Sequence, residues 1–342
     1  MTQYFRSLRP HWTGEVEYFT VGSRTDDETA PAAAARLIRD TWNFCRRLSS
    51  GDYDVVHLNP SIGSKAVLRD GALLLIARLF RKRIVVFAHG WYEGFERKLR
   101  GSRIFASVAN RADAFVVLGS EFASRLRRLG YTGKVFIQAV PVDDELLKDA
   151  ARIEPRPNQS EFCILFLARL IREKGVYEAL AAYRLLKTKY PFVRLVMAGD
   201  GPELNNLKAA CADGPVSDVS FPGHVSGERK CAAFRGADAY LFPSHSEGLP
   251  ISVLEAMSYG LPVVTSRVGA LSDFFIDGEM GFMVESPEPV RLAASIERFI
   301  RDQPLTAKIR SFNQRYAADH FAASRIRRGL EKVYQSVLER AD

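Results

Sequence analysis

Twice along its length the chain alternates short apolar runs with stretches of helical periodicity, and this double alternation restricts the fold more than any other feature. The first series of strand-like runs is Val16–Val21, Val55–Leu58, Ile84–Phe87, Ala114–Leu118 and Val135–Val140, with helix-like stretches near 32–49, 62–80, 95–110 and 120–129. The second series is Phe162–Leu167, Leu195–Ala198, Val219–Phe221, Ala239–Phe242 and Val263–Thr265, again with helices in the gaps. A helix between two strands returns the chain to its starting edge, so each series predicts a parallel, doubly wound α/β sheet with helices on both faces. Residues 149–160 are polar and carry two prolines, which suits a linker. The expected division is therefore a domain over 1–149, a linker over 150–160, a domain over 161–320 and a closing helix over 321–342. On that helix Leu330, Val333 and Val337 form one apolar face, expected to pack back on the first domain. Paired sheets of this kind bind ligands outside the carboxyl ends of their strands, here in a cleft that the two domains face.

A length of 342 residues with 47% apolar content supports two such cores. Cys45, Cys163, Cys211 and Cys231 form no C-x-x-C pair, which suggests reduced thiols in a cytoplasmic compartment and no structural zinc. The most apolar run, Gly71–Leu79, lies between Asp70 and Arg81-Lys82-Arg83 and is much shorter than the ~20 residues that cross a bilayer. Charge is uneven: residues 1–150 hold 23 Lys+Arg against 17 Asp+Glu, a net +6 of the total +8. Its clusters, at 81–83, at Arg97, Lys98, Arg100 and Arg103, and at Arg125, Arg127 and Arg128, suit either solvated helix faces or an anionic membrane surface. Nucleic acid is not expected, because no aromatic-basic interleaving accompanies the charge.

Function is written most clearly between Glu247 and Glu255. The run Ala239–Phe242 reads as a buried strand feeding the turn 244–248, and Pro250 suits the first position of a helix on which Ile251, Leu254 and Met257 recur at helical spacing. Glu255 lies about 40° round that helix from Ile251, beside the buried stripe. A carboxylate there needs a partner, either ligand hydroxyls or a basic side chain, because an unpaired buried charge is costly. The helix start also offers free N–H groups to an anion. Upstream, the strand Phe162–Leu167 runs into a loop carrying Arg169 and Lys174, a fork and a point charge that together can neutralise a diphosphate without a metal. Ala198-Gly199-Asp200-Gly201-Pro202 is a glycine turn before a helix, and not a G-x-G-x-x-G fingerprint. Asp52-Tyr53-Asp54 has D-x-D spacing, but it precedes a strand and is read as structural, so no metal site is expected.

Taken in order, Arg169 with Lys174-Gly175, Ala198 to Pro202, Phe221-Pro222-Gly223-His224-Val225, then Glu247 and Glu255, closely resemble the retaining GT-B glycosyltransferases of glycosyltransferase family 4. The likeness covers roughly 160–285 and extends more loosely to Asp54-Val55-Val56-His57 and Ala88-His89-Gly90. The resemblance implies a sugar-nucleotide donor as co-substrate, with Arg169 and Lys174 on the diphosphate and Glu255 on the ribose hydroxyls. It implies that Glu247, with the Gly248 and Leu249 backbone, holds the transferred sugar and phosphate, and that His89 faces that sugar from the other domain. Gly199 would allow close approach, and the turn of Gly223 and Val225 would lie near the base. Many relatives carry glycine where this chain has Pro250, which removes one N–H donor and leaves more to Leu249 and Ile251.

The implied reaction is transfer of a sugar from a nucleoside diphosphate to an acceptor hydroxyl, with retention and without a metal cofactor, in assembly of cell-surface polysaccharide or glycolipid. The acceptor is then a glycan or lipid-linked molecule and the protein cytoplasmic, peripheral on the inner face of the membrane. The rival readings are an inactive nucleotide-sugar-binding subunit and a sugar-nucleotide epimerase or hydrolase. A further expectation concerns the start of the chain: residues 1–10 look like the end of a first helix, with Tyr4, Phe5 and Leu8 on one face. The strand and glycine turn that normally open such a domain would then lie roughly 20–30 residues upstream.

Overall fold

The computed structural model describes residues 2–22, 29–152, 161–212 and 218–339, and within them the chain divides into two units. The first comprises Pro10–Gln138 and Arg327–Asp342. Its sheet contains β1 (Val55–Leu58), β2 (Arg83–Ala88), β3 (Ala114–Val117) and β4 (Lys134–Ile137), all parallel and hydrogen-bonded in that order. A small parallel pair, Ser61–Ile62 with Gly90–Trp91, lies beyond the ends of β1 and β2. Covering helices follow the apolar periodicity: in Ser120–Arg128, for example, Phe122 and Leu126, one turn apart, are the buried positions. The helix expected near 95–110 is two helices, Glu93–Leu99 and Arg103–Ala109, separated at Gly101, where φ is positive.

The expected strand Val16–Val21 does not form. This segment joins no ladder and is held by side chains: Glu17 pairs with Arg47 and Tyr53, Phe19 stacks on Phe44 at 5.9 Å, and Arg69 Nη1 donates to the Val21 carbonyl at 3.3 Å. Alternating apolar residues suit a strand, but a strand also needs an adjacent edge, and this one lies on the helix Ala30–Ser50 instead. The C-terminal helix Ala323–Leu338 buries Leu330, Val333 and Val337. Its Tyr334 hydroxyl lies 2.6 Å from His57 Nδ1, and its Ser336 carbonyl accepts from Lys134 Nζ at 2.6 Å.

The second unit comprises Met1–Arg9 and Ala139–Ile326. Six parallel strands, β5 (Phe162–Leu167), β6 (Val193–Ala198), β7 (Val219–Gly223), β8 (Ala239–Phe242), β9 (Val263–Ser266) and β10 (Gly281–Val284), stand in the order β10-β9-β8-β5-β6-β7. The central β8 and β9 are buried at every position, as a parallel sheet covered on both faces requires. Pro222 sits in β7, an edge strand, where its missing N–H costs no ladder bond. Phe166, Leu195, Met197 and Leu241 pack with Val176, Leu180, Tyr183 and Phe299 from the covering helices.

The division between units falls before residue 139, earlier than the expected linker, whose residues 153–160 lie outside the described residues. Helix Asp144–Ala150 is the reason. Val142 N donates to the Phe321 carbonyl at 2.9 Å, and Asp149 pairs with Arg235 at 2.5 Å and accepts from Tyr259 at 2.8 Å, which ties this helix to the helices of the second unit. Residues 2–8 are helical, with Tyr4 and Leu8 buried, but they cluster with the second unit and not with the first as the reading of a first helix expected.

Candidate functional site

The loop leaving β5 is built by the sheet beneath it. Ala168 N donates to the Ala198 carbonyl at 3.1 Å and Leu170 N to the Asp200 carbonyl at 2.8 Å, so the backbone pairing of β5 and β6 continues past both strand ends. Gly199 lies in this seam at φ +149°, and a Cβ on it would sit 1.8 Å from the Ala168 oxygen. The loop packing alone accounts for this glycine, whereas the sequence reading had reserved it for a ligand. Arg169 is exposed, and among the described residues its guanidinium makes no ion pair. The following 3-10 turn, Arg172–Lys174, directs Lys174 to Glu247, with Nζ 2.5 Å from Oε1.

Glu247 belongs to the turn after β8. Ser244, fully buried, places its Oγ 3.0 Å from Glu247 Oε1 and 3.0 Å from the Glu173 carbonyl, and its single proton serves one of them at a time. His245 N donates to that same Glu173 carbonyl at 2.9 Å, and Ser266 Oγ donates to the Ser244 carbonyl. The two loops bearing Lys174 and Glu247 are thus stitched by backbone as well as by the ion pair. Gly248 follows, its carbonyl accepting from Ala270 N at 2.8 Å, and Leu249 is buried.

Pro250 caps the helix Ile251–Ser258 and is not its first residue. Ile251 is 37% exposed, although its spacing with Leu254 and Met257 predicted a common buried face. Glu255 is nevertheless only 1% exposed, because every position from Val253 to Ser258 is buried. Its partner is a basic side chain: Lys230 Nζ, from helix Glu228–Arg235, lies 2.5 Å from Glu255 Oε1. Burial pushes the Glu255 carboxyl above its ordinary value, and Lys230 draws it back. Lys230 was missed in the sequence because it lies on a different helix, with no motif to single it out.

The turn of Gly223, His224 and Val225 precedes that helix. Gly223 has φ +73° with open space where a Cβ would stand, His224 is exposed and Val225 is buried. In the first unit, His89 follows β2, and burial lowers its imidazole to about 4, so it is neutral near pH 7; its Nδ1 is buried without a hydrogen-bond partner among the described residues. His57 is likewise pushed to about 4 by burial and is engaged by Tyr334. Asp52 and Asp54 are exposed at the amino end of β1. All three basic clusters are partly structural, since Arg83 pairs with Asp113, Arg100 with Glu96, and Arg125 with Glu96 and Glu121, while Arg127 lies over the Tyr131 ring at 5.7 Å. Asp149, Glu228 and Cys231 bring ligand atoms within 4.8 Å of one another, but the Arg235 guanidinium already pairs with both carboxylates and offsets part of their charge.

Basic and acidic groups on the carboxyl-end loops of one parallel sheet, in the order found here, can be compared with known proteins. Residues 148–316 match the family Glycosyl transferases group 1. This segment belongs to that family. Over 236 residues, 67% of this chain and 56% of the relative, the chain is 33% identical to the glycogen synthase of Mycobacterium tuberculosis H37Rv. It is 25% identical over 185 residues, 53% of this chain and 48% of the relative, to the capsular polysaccharide biosynthesis glycosyltransferase CapM of Staphylococcus aureus. The chain thus spans about half the length of these relatives. The chain is similar in fold to Anabaena HepE, solved in complex with UDP, with a TM-score of 0.72 over 90% of this chain and 84% of that one at 19% identity. Lys174, Glu247, Lys230 and Glu255 all lie within the group 1 segment.

Proposed function

We propose that the protein is a retaining glycosyltransferase that moves a sugar from a nucleoside-diphosphate donor to an acceptor hydroxyl in the assembly of a cell-surface polysaccharide or glycolipid. The observation that carries this reading is the Lys174–Glu247 pair, joining loops at the carboxyl ends of β5 and β8, with the exposed Arg169 on the same loop as Lys174. Departure of a nucleoside diphosphate builds negative charge on its oxygens, and fixed cations that meet this charge lower the barrier. Arg169 and Lys174 fill that role, while Glu247 fixes the Lys174 ammonium and receives hydroxyls of the transferred sugar. Gly248, Leu249 and Ile251 supply backbone N–H groups, Glu255 takes the ribose hydroxyls, and Gly223 with Val225 borders the base. His89, neutral near pH 7, is assigned to the sugar. CapM, by its name, serves capsular polysaccharide biosynthesis, and HepE was solved with UDP; both support the class of product and of donor.

Incubation with UDP-, GDP- and ADP-sugars, with and without glycan or lipid-linked acceptors, tests this reading. Acceptor-dependent nucleoside diphosphate release is expected, and binding without any turnover across the panel would refute it. Since the protein supplies the cations, activity is expected to persist in EDTA; a complete requirement for added Mn²⁺ or Mg²⁺ would contradict a metal-free mechanism.

A further inference from the structure

Helix Ser64–Leu79 of the first unit is apolar on two opposite faces. One face, with Leu73, Leu74 and Ala77, is buried in the core. The other carries Leu68, Leu75 and Leu79 at spacings of seven and four, which align them in one stripe, and Leu68 and Leu79 are 76% and 81% exposed. A neighbouring helix, Arg103–Ala109, packs against it with Val108 Cγ1 3.6 Å from the Cβ position of Gly71, and presents Ile104, 81% exposed. The solvent face of a helix is ordinarily polar, and an exposed apolar stripe on it marks an interaction surface.

The charge around the stripe selects its partner. Residues 64–113 contain 11 Lys and Arg against 4 Asp and Glu. Three of the acids turn inward: Asp70 and Glu96 are buried, and Asp113 is engaged by Arg78 and Arg83. Arg81, Arg97, Lys98 and Arg103 are exposed. A second copy docking through this face by two-fold symmetry would set the same basic segment against itself, which like-charge repulsion opposes. An anionic bilayer offers phosphate to the cations and acyl chains to the leucines. Apolar insertion combined with basic attraction is the pairing that holds a protein on a membrane surface without a span.

We propose that the Leu68–Leu75–Leu79 stripe, with Ile104 and the exposed basic side chains of the same segment, is a docking face for an anionic lipid surface. This deepens the glycosyltransferase reading by giving the enzyme a way to meet a lipid-linked acceptor, but its test is separate. The experiment is co-sedimentation of the full chain with vesicles of phosphatidylcholine alone or with one third phosphatidylglycerol, at low and high salt. Parallel samples carry Leu68→Gln/Leu79→Gln, both exposed helix positions where glutamine preserves helix propensity. The expected result is binding to the anionic vesicles only, weakened by salt, and at least tenfold weaker in the double variant with unchanged thermal unfolding and unchanged nucleoside-diphosphate binding. Absence of vesicle binding by the natural sequence, equal binding by the variant, or a dimer that the variant dissociates would each overturn the proposal. None of these outcomes bears on donor chemistry, which the soluble nucleotide assay reads independently.

Discussion

Lys174→Ala is expected to lower turnover by about 100-fold or more while the protein stays folded, because in the proposed reaction it removes a cation that meets the leaving diphosphate as charge develops. The two effects separate on structural grounds. The Lys174–Glu247 pair is partly exposed on both sides, a setting in which an ion pair contributes only about 0–1 kcal/mol to stability. Ser244 Oγ and the backbone bond from His245 N to the Glu173 carbonyl continue to hold the two loops in place. A transition-state contact is worth far more in the reaction than in folding, so kcat should collapse with little change in the denaturation midpoint. Arg169→Ala should behave similarly, since no other described residue depends on its guanidinium for an ion pair. Values of kcat within threefold of the natural protein for both variants would remove these residues from the proposed mechanism.

Much of the scaffold behind that prediction was legible in the sequence. β5, β6 and β8 were readable because each is a dense apolar burst between turn residues, and burial on both sheet faces leaves that composition little choice. The segment Val16–Val21 has the same local signature without the outcome, because strand formation depends on an adjacent edge that a local window does not record. Residues 144–149, whose helix the sequence reading did not expect, were placed in the first domain for a similar reason: their allegiance rests on Asp149 meeting Arg235 and Tyr259, far along the chain. The site divides along the same line. Arg169, Lys174, Glu247 and Glu255 stood out by their positions at strand ends and a helix start, and the structure brings Lys174 to Glu247. Ile251 and Lys230 were misjudged or missed, because helical spacing gives the angle between two residues and not the depth at which their helix lies.

Lys230→Met is expected to destabilise the protein by about 3–5 kcal/mol at neutral pH, the cost of leaving a buried carboxylate without its cation. Glu255 has few alternatives. Its carboxyl is 1% exposed, and of the neighbouring ionisable groups Asp143 is itself acidic and raises it further, while the Tyr240 hydroxyl is already bonded to the Leu167 carbonyl at 2.9 Å. With Lys230 gone, burial and Asp143 act unopposed and the folded-state carboxyl titrates well above its ordinary 4.5. The folded variant then binds more protons than the unfolded chain at every pH between those two values, so its stability must fall as pH rises through that window. The deficit against the natural protein should therefore be small near pH 4.5, where the carboxyl is protonated, and full by pH 8. Denaturant unfolding at both ends measures it, and a deficit that stays constant or shrinks toward pH 8 would show that Lys230 does not neutralise Glu255. The double variant Lys230→Met/Glu255→Met separates charge from packing: replacing a buried ion pair by apolar side chains of similar volume is close to neutral, so it should recover most of the loss. Nucleotide affinity should not recover with it if Glu255 takes the ribose hydroxyls as proposed, because the double variant has no carboxylate there, whereas Lys230→Met alone should regain affinity as pH rises and Glu255 ionises. Opposite pH trends in one variant, stability falling while nucleotide binding rises, are the result that a merely structural ion pair cannot give.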